Sequence, residues 1–154
     1  MQSMFAGASL FDGDVSNFDT SSVTGMGFMF EGASSFNSDV SKFDTLNVID
    51  MQYMFQGAES FIGQGISNFD TSIVTTMEGM FMNATSFNQD LSNFDTLRVT
   101  NMGGMFIFAK AFSGDVSNFD LSSVTDMRFM FYGATSFNRD LCASNCTVST
   151  DEPK

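Results

Sequence analysis

Apolar residues recur along this chain in a fixed order, about every 25 residues. Counted from one phenylalanine, the unit starts at Phe11, Phe36, Phe61, Phe87, Phe112 and, truncated, Phe137, with spacings of 25, 25, 26, 25 and 25. The one extra residue lies within Ile62-Gly63-Gln64-Gly65. A second phenylalanine column (Phe18, Phe43, Phe69, Phe94, Phe119) follows an aliphatic one (Val15, Val40, Ile66, Leu91, Val116, Leu141). Val23, Val48, Val74, Val99 and Val124 are invariant, as are the methionine pairs from Met26/Met29 to Met127/Met130 and the Phe after each pair. Self-similarity at this period signals stacked coils, because one unit cannot bury its own apolar face. The recurring apolar columns are therefore expected to form one continuous spine.

Local pattern predicts the elements of each coil. The β-branched stretch Val-Thr-x-Met, as at Val99 to Met102, predicts a parallel strand of about three to five residues. Met-x-x-Met-Phe has apolar residues at i, i+3 and i+4, which predicts one helical or 3-10 turn. The column Gly7, Gly32, Gly57, Asn83, Phe108, Gly133 follows, and glycine or asparagine there suits a left-handed backbone. Phe108 breaks that column and predicts either a different turn or local strain. The remaining Phe-Asn-x-Asp-Val-Ser-Asn-Phe-Asp-Thr segment predicts extended chain with Asx and Ser turns. Residues 1–141 read as one domain, with a C-terminal cap and tail at 142–154.

The consensus Phe-Asn-x-Asp-(Val/Leu)-Ser-x-Phe-Asp-Thr-x-x-Val-Thr-x-Met-x-x-Met-Phe-x-x-Ala resembles the BspA-like leucine-rich-repeat surface proteins. It is most similar to a methionine-containing branch known from mycoplasma surface lipoproteins and from some protists and algae. That branch usually carries tryptophan where this chain has Phe18, Phe43, Phe69, Phe94 and Phe119. The resemblance implies a right-handed, leucine-rich-repeat-like solenoid displayed outside the cell for adhesion or protein binding. It brings no catalytic residues.

Charge narrows the partners. Eighteen acidic residues against six basic ones give a net charge of −12, with no histidine. Such a surface repels nucleic acid and anionic lipid, which need clustered Lys or Arg. No apolar run is long enough to span a bilayer. Met1 opens within the tail half of a unit and no secretory signal precedes it, so the chain reads as a piece of a longer one. Two sequons, at Asn83 and Asn145, suggest N-glycosylation and a secreted context. Cys142 and Cys146 would form a capping disulfide or remain free thiols in the tail.

Candidate chemistry lies in the ladders. Asp14, Asp39, Asp90, Asp115 and Asp140 form one aspartate column, and Asp19, Asp44, Asp70, Asp95 and Asp120 form another. These predict Asx turns or caps; the alternative is calcium held between coils, the one cofactor considered. The column Thr24, Ile49, Thr75, Thr100, Thr125 raises ice binding, against which stands the irregular neighbouring column Ser22, Asn47, Ile73, Arg98, Ser123. That irregular column is the first candidate for partner contact. Phe28, Tyr53 and Phe129, between the methionines of a pair, are either exposed aromatic contacts or half-buried edge packing. Nothing pairs a nucleophile with a base, so the expectation is a non-enzymatic extracellular module binding a protein or glycan. The alternative is a structural module that stacks end to end with copies of itself.

Overall fold

The computed structural model describes residues 1–139. Each unit forms one coil lying on the next, and the invariant columns make the spine between them. Phe30, Phe55, Phe81, Phe106 and Phe131 stack coil to coil with ring centroids 5.5, 5.8, 5.7 and 5.2 Å apart. Beside them runs Phe36, Phe61, Phe87, Phe112, Phe137, spaced 5.7, 6.1, 5.7 and 5.8 Å. Within a coil the two columns touch, as in Phe55–Phe61 at 4.2 Å and Phe81–Phe87 at 3.9 Å. Offset stacking of this kind adds to the simple burial of the rings. Met26, Met51, Met77 and Met102 and their partners Met29, Met54, Met80 and Met105 are fully buried against the rings, where a flexible thioether fills the gaps that flat faces leave.

The secondary structure departs from expectation. The predicted leucine-rich-repeat-like solenoid, with a β-strand and a helical turn in every coil, is not what this chain forms. Among the described residues there is a single 3-10 helix, Ile66–Asn68, and pairing is limited to isolated parallel bridges joining Gly25, Asp50, Thr76, Asn101 and Asp126. At each bridge only one residue is extended and paired: the Ile49 amide donates to the Thr24 carbonyl and the Met26 amide to the Asp50 carbonyl, both at 2.9 Å. Just upstream, the Val48 amide closes a turn onto the Thr45 carbonyl at 2.9 Å. Three residues after each bridge residue the backbone turns left-handed, with φ 59° at Phe28 and 54° at Tyr53. A strand cannot grow in either direction.

The same left-handed residue excludes the helical turn. Across Met26 to Ala33, alternate amides take different partners. Met29, Glu31 and Ala33 donate within the coil to Met26, Phe28 and Phe30, whereas Phe28, Phe30 and Gly32 donate to Gln52, Met54 and Gln56 of the next coil. The pattern repeats at Tyr53, Phe55 and Gly57, at Gly79, Phe81 and Asn83, and at Gly104, Phe106 and Phe108. It requires two left-handed residues per coil, four apart. The second of these is the glycine column, with φ 66° at Gly32, 67° at Gly57 and 72° at Gly133. Phe108 adopts φ 53° there and Asn83 58°, so Phe108 makes the same turn under strain. For a residue with a side chain that conformation costs ~1–2 kcal/mol.

A second seam holds the coils together on the aspartate side. Thr20, Thr45, Thr71 and Thr96 are buried. The Thr45 hydroxyl donates to the Asp70 carbonyl at 3.0 Å and accepts the Asp70 amide at 2.7 Å. Thr96 grips Asp120 in the same way, at 3.0 and 2.7 Å. The extra residue of the third unit is absorbed in a loop containing Gly63 and Gly65, whose Gln64 carbonyl still accepts the Val40 amide at 3.1 Å. Cys142, Cys146, Asn145, Asp140 and Leu141 lie outside the described residues.

Candidate functional site

Both aspartate columns are engaged inside their own coils. Asp14, Asp39, Asp90 and Asp115 each accept the amide of the serine two residues on, at 2.7 to 2.9 Å. Asp19, Asp44, Asp70, Asp95 and Asp120 do the same for Ser21, Leu46, Ser72, Leu97 and Ser122, at 2.8 to 3.1 Å. These are Asx turns. Among the described residues, no three His, Cys, Asp or Glu side chains gather closely enough to hold a metal ion. The hydroxyls of Thr75, Thr100 and Thr125 donate to the carbonyls of Ile49, Thr75 and Thr100, at 3.0 to 3.1 Å. In the neighbouring column Ser22, Asn47 and Arg98 are exposed and Ile73 and Ser123 half-buried, and Ser22 lines an open recess of about 440 Å³ with Met1, Gln2, Val23, Thr24 and Gly25. Asn83 is half-buried at its left-handed position.

The left-handed edge differs from coil to coil. Its first position is occupied in turn by Phe28, Tyr53, Gly79, Gly104 and Phe129, all with positive φ. Phe28 and Tyr53 stack with centroids 5.1 Å apart. Tyr53 then leans across Gly79, where any side chain would collide with its ring. Gly104 has no ring above it, and Phe129 begins the next coil. The result is a notch of about 300 Å³ lined by Tyr53, Glu78, Met82, Gly103, Gly104, Ile107, Asp126, Arg128 and Phe129. Its floor is glycine backbone whose polar groups are already used. The Gly103 amide donates to Asn101 Oδ1 at 2.9 Å, the Gly104 amide to the Arg128 carbonyl at 2.9 Å, and the Gly103 carbonyl accepts the Gly79 amide at 2.9 Å.

Polar groups at the rim are fixed in place. The Tyr53 hydroxyl donates to Glu78 Oε1, and Asn101 Nδ2 donates to Glu78 Oε2 at 2.9 Å. Burial, reinforced by the Glu78 carboxylate, pushes the Tyr53 phenol up to about 12. Opposite, Arg128 forks onto Asp126, with Nε to Oδ1 at 3.1 Å and Nη2 to Oδ2 at 2.7 Å. That guanidinium, with the Arg128 amide, holds the Asp126 carboxyl down to about 2. Beyond the notch the aromatic surface continues. Phe108, Phe129 and Tyr132 are 40%, 58% and 60% exposed, with Tyr132 edge-on to Phe108 at 5.4 Å and to Phe129 at 6.2 Å.

The sequence had singled out Phe28, Tyr53 and Phe129, and the structure gives both readings of them. Phe28 and Tyr53 are half-buried edge packing, and Phe129 is an exposed ring. It had not connected them to Glu78, Asn101, Asp126 and Arg128. The signal was present: two glycines, Gly79 and Gly104, occupy a column otherwise filled by rings.

A family model described as Mycoplasma protein of unknown function, DUF285, matches residues 1–65 and again 60–152. No curated protein and no solved structure matches the chain.

Proposed function

We propose that this chain, which belongs to the DUF285 family, is a non-enzymatic binding module that works outside the cell in protein binding or adhesion. One observation carries the reading. The left-handed edge keeps Phe28, Tyr53 and Phe129 at positions where Gly79 and Gly104 make the same backbone turn, at a cost of ~1–2 kcal/mol for each ring. Strain retained at a variable edge points to a use for the side chains, and beyond the half-buried Phe28 and Tyr53 the exposed rings of Phe108, Phe129 and Tyr132 have the composition of interaction sites. The absence of histidine and the use of the aspartates in turns support a non-enzymatic role. The sequon at Asn83 favours a place outside the cell. Sequence resemblance to BspA-like surface proteins points the same way, although the leucine-rich-repeat fold is not shared.

The test is a binding screen of the immobilised chain against extracellular proteins, glycans and intact cells. Beside it runs a variant carrying Phe28→Gly, Tyr53→Gly and Phe129→Gly that still melts cooperatively. Saturable binding that falls roughly tenfold or more in the variant is expected. Equal binding by both chains, or none by the wild type, contradicts the reading.

A further inference from the structure

We infer that the notch between Tyr53 and Phe129 is a binding site for a neutral pyranose unit of a glycan, an assignment that rests on the binding-module reading above. Along the left-handed edge, Phe28 and Tyr53 stack, Tyr53 covers Gly79, and Gly104 carries no ring, its nearest side-chain neighbours being the ends of Ile107 and Met82. A space of about 300 Å³ walled by two aromatic residues and floored by backbone is at the small end of ligand pockets. It holds one six-membered ring with its substituents.

Charge selects among such rings. Glu78 and Asp126 present carboxylates and Arg128 a guanidinium to the same space. A cationic group is not repelled, since Arg128 offsets only one of the two carboxylates, but Asp126 is already spent on Arg128 and both Glu78 oxygens on Tyr53 and Asn101. An anionic group meets both carboxylates on a chain of net charge −12. A neutral ligand that donates and accepts hydrogen bonds meets no such opposition. Carboxylate oxygens accept from hydroxyls, and Arg128 keeps N–H donors free beyond those spent on Asp126. A pyranose has hydroxyls around its edge and a C–H face that lies flat on an aromatic ring, so Phe129 provides the complementary wall. The polar groups are fixed beforehand: Tyr53 and Asn101 hold both oxygens of Glu78, and Asp126 holds Arg128. Little side-chain freedom is then lost on binding. The exposed rings of Tyr132 and Phe108 continue from Phe129 and give further units of the glycan a surface to follow.

The test uses saturation-transfer NMR with neutral methyl pyranosides, a sulfated pyranoside as control, and the protein screen described above in parallel. Two variants locate the site. Gly104→Phe fills the notch, at a backbone position that already carries Phe28 and Phe129; a Cβ there would meet only the mobile ends of Ile107 at 2.9 Å and Met82 at 3.1 Å. Phe129→Ala removes the wall without touching the glycine floor. The expected result is transfer to at least one neutral pyranoside, reduced roughly tenfold or more in both variants while their melting transitions persist. Transfer to the sulfated sugar alone, or undiminished transfer in Gly104→Phe, overturns the assignment. Absence of transfer with protein binding retained overturns it and leaves the binding-module reading standing. Absence of both removes the two together.

Discussion

Two seams join each coil to the next, and they obey opposite rules. On the aspartate side the link is a side chain: the buried Thr45 hydroxyl both donates to and accepts from Asp70, and Thr96 does the same for Asp120. On the left-handed side every coil is linked through backbone, as from Tyr53, Phe55 and Gly57 to Glu78, Met80 and Met82, and side chains add to it only locally, where Tyr53 and Asn101 hold Glu78. The first seam therefore depends on the hydroxyl, which Thr20, Thr45, Thr71 and Thr96 supply, while Leu121 takes that place in the fifth unit. The second accepts Phe, Tyr or Gly at one position and Gly, Asn or Phe at the other, the penalty being only the left-handed conformation of a side-chain-bearing residue. The left-handed seam varies because its backbone links do not depend on residue type, and an interaction surface can diversify there without loosening the stack.

The comparison can be broken most forcefully from the interior that both seams share. Phe61 is fully buried and stacked on Phe36, Phe55 and Phe87. Phe61→Ala is expected to cost ~3–5 kcal/mol, read as a lower denaturation midpoint. At the fixed seam, Thr45→Val keeps the shape but strands the Asp70 amide and carbonyl. Equilibrium unfolding should register a loss of ~1–3 kcal/mol; no loss would mean that the two seams do not differ. At the variable seam, Phe108→Asn places the residue of the preceding coil, Asn83, on the same backbone. Stability should hold or rise by up to ~1 kcal/mol, and a clear loss would show that the ring's contact with Tyr132 outweighs its strain.

The smallest expected effect is with pH. The Asp19, Asp70 and Asp120 carboxyls are held below their ordinary value first by the hydroxyls of Ser21, Ser72 and Ser122. Asp14 and Asp115 are held down first by the backbone amides of Ser16 and Ser117. A carboxyl lowered by folding stabilises the fold above its unfolded pKa and loses that contribution as pH falls through the folded value. The melting temperature should thus be flat from about pH 5 to about pH 7 and decline below about pH 4. Tyr53 has the opposite sign. Its phenol, raised from 10.0 to about 12, stabilises the fold below the unfolded value, and that contribution fades as pH climbs through the folded one. Tyr53→Phe should abolish the alkaline part of the decline.

The spine was legible in the sequence because burial selects residue type and the period places it. Of the invariant valines, Val48, Val74 and Val99 are fully buried, and Val23 and Val124 are half-buried in the outer coils. The Asx turns were legible for a similar reason, since Asp followed by Ser or Thr is itself local chemistry. The strand and the helical turn were misread. Val-Thr-x-Met has β-branched composition, yet only one residue per coil is paired, because a left-handed residue follows three positions later. Met-x-x-Met-Phe has helical spacing, but that spacing also fits a ribbon whose alternate amides leave for the next coil. Phe28, Tyr53 and Phe129 concealed the first left-handed column, since rings rarely adopt that backbone. Gly79 and Gly104 alone gave it away, and they also mark the notch.

The methionine–phenylalanine segment sends every second amide to its neighbouring coil through two left-handed turns. Scalar couplings transmitted through hydrogen bonds, measured by NMR on labelled protein, test it most directly. The Tyr53, Phe55 and Gly57 amide nitrogens should couple to the carbonyl carbons of Glu78, Met80 and Met82, with Met54, Gln56 and Ala58 coupled to Met51, Tyr53 and Phe55. Couplings from each amide to the carbonyl four residues earlier across Met51 to Ala58 would reveal a helical turn and contradict the account.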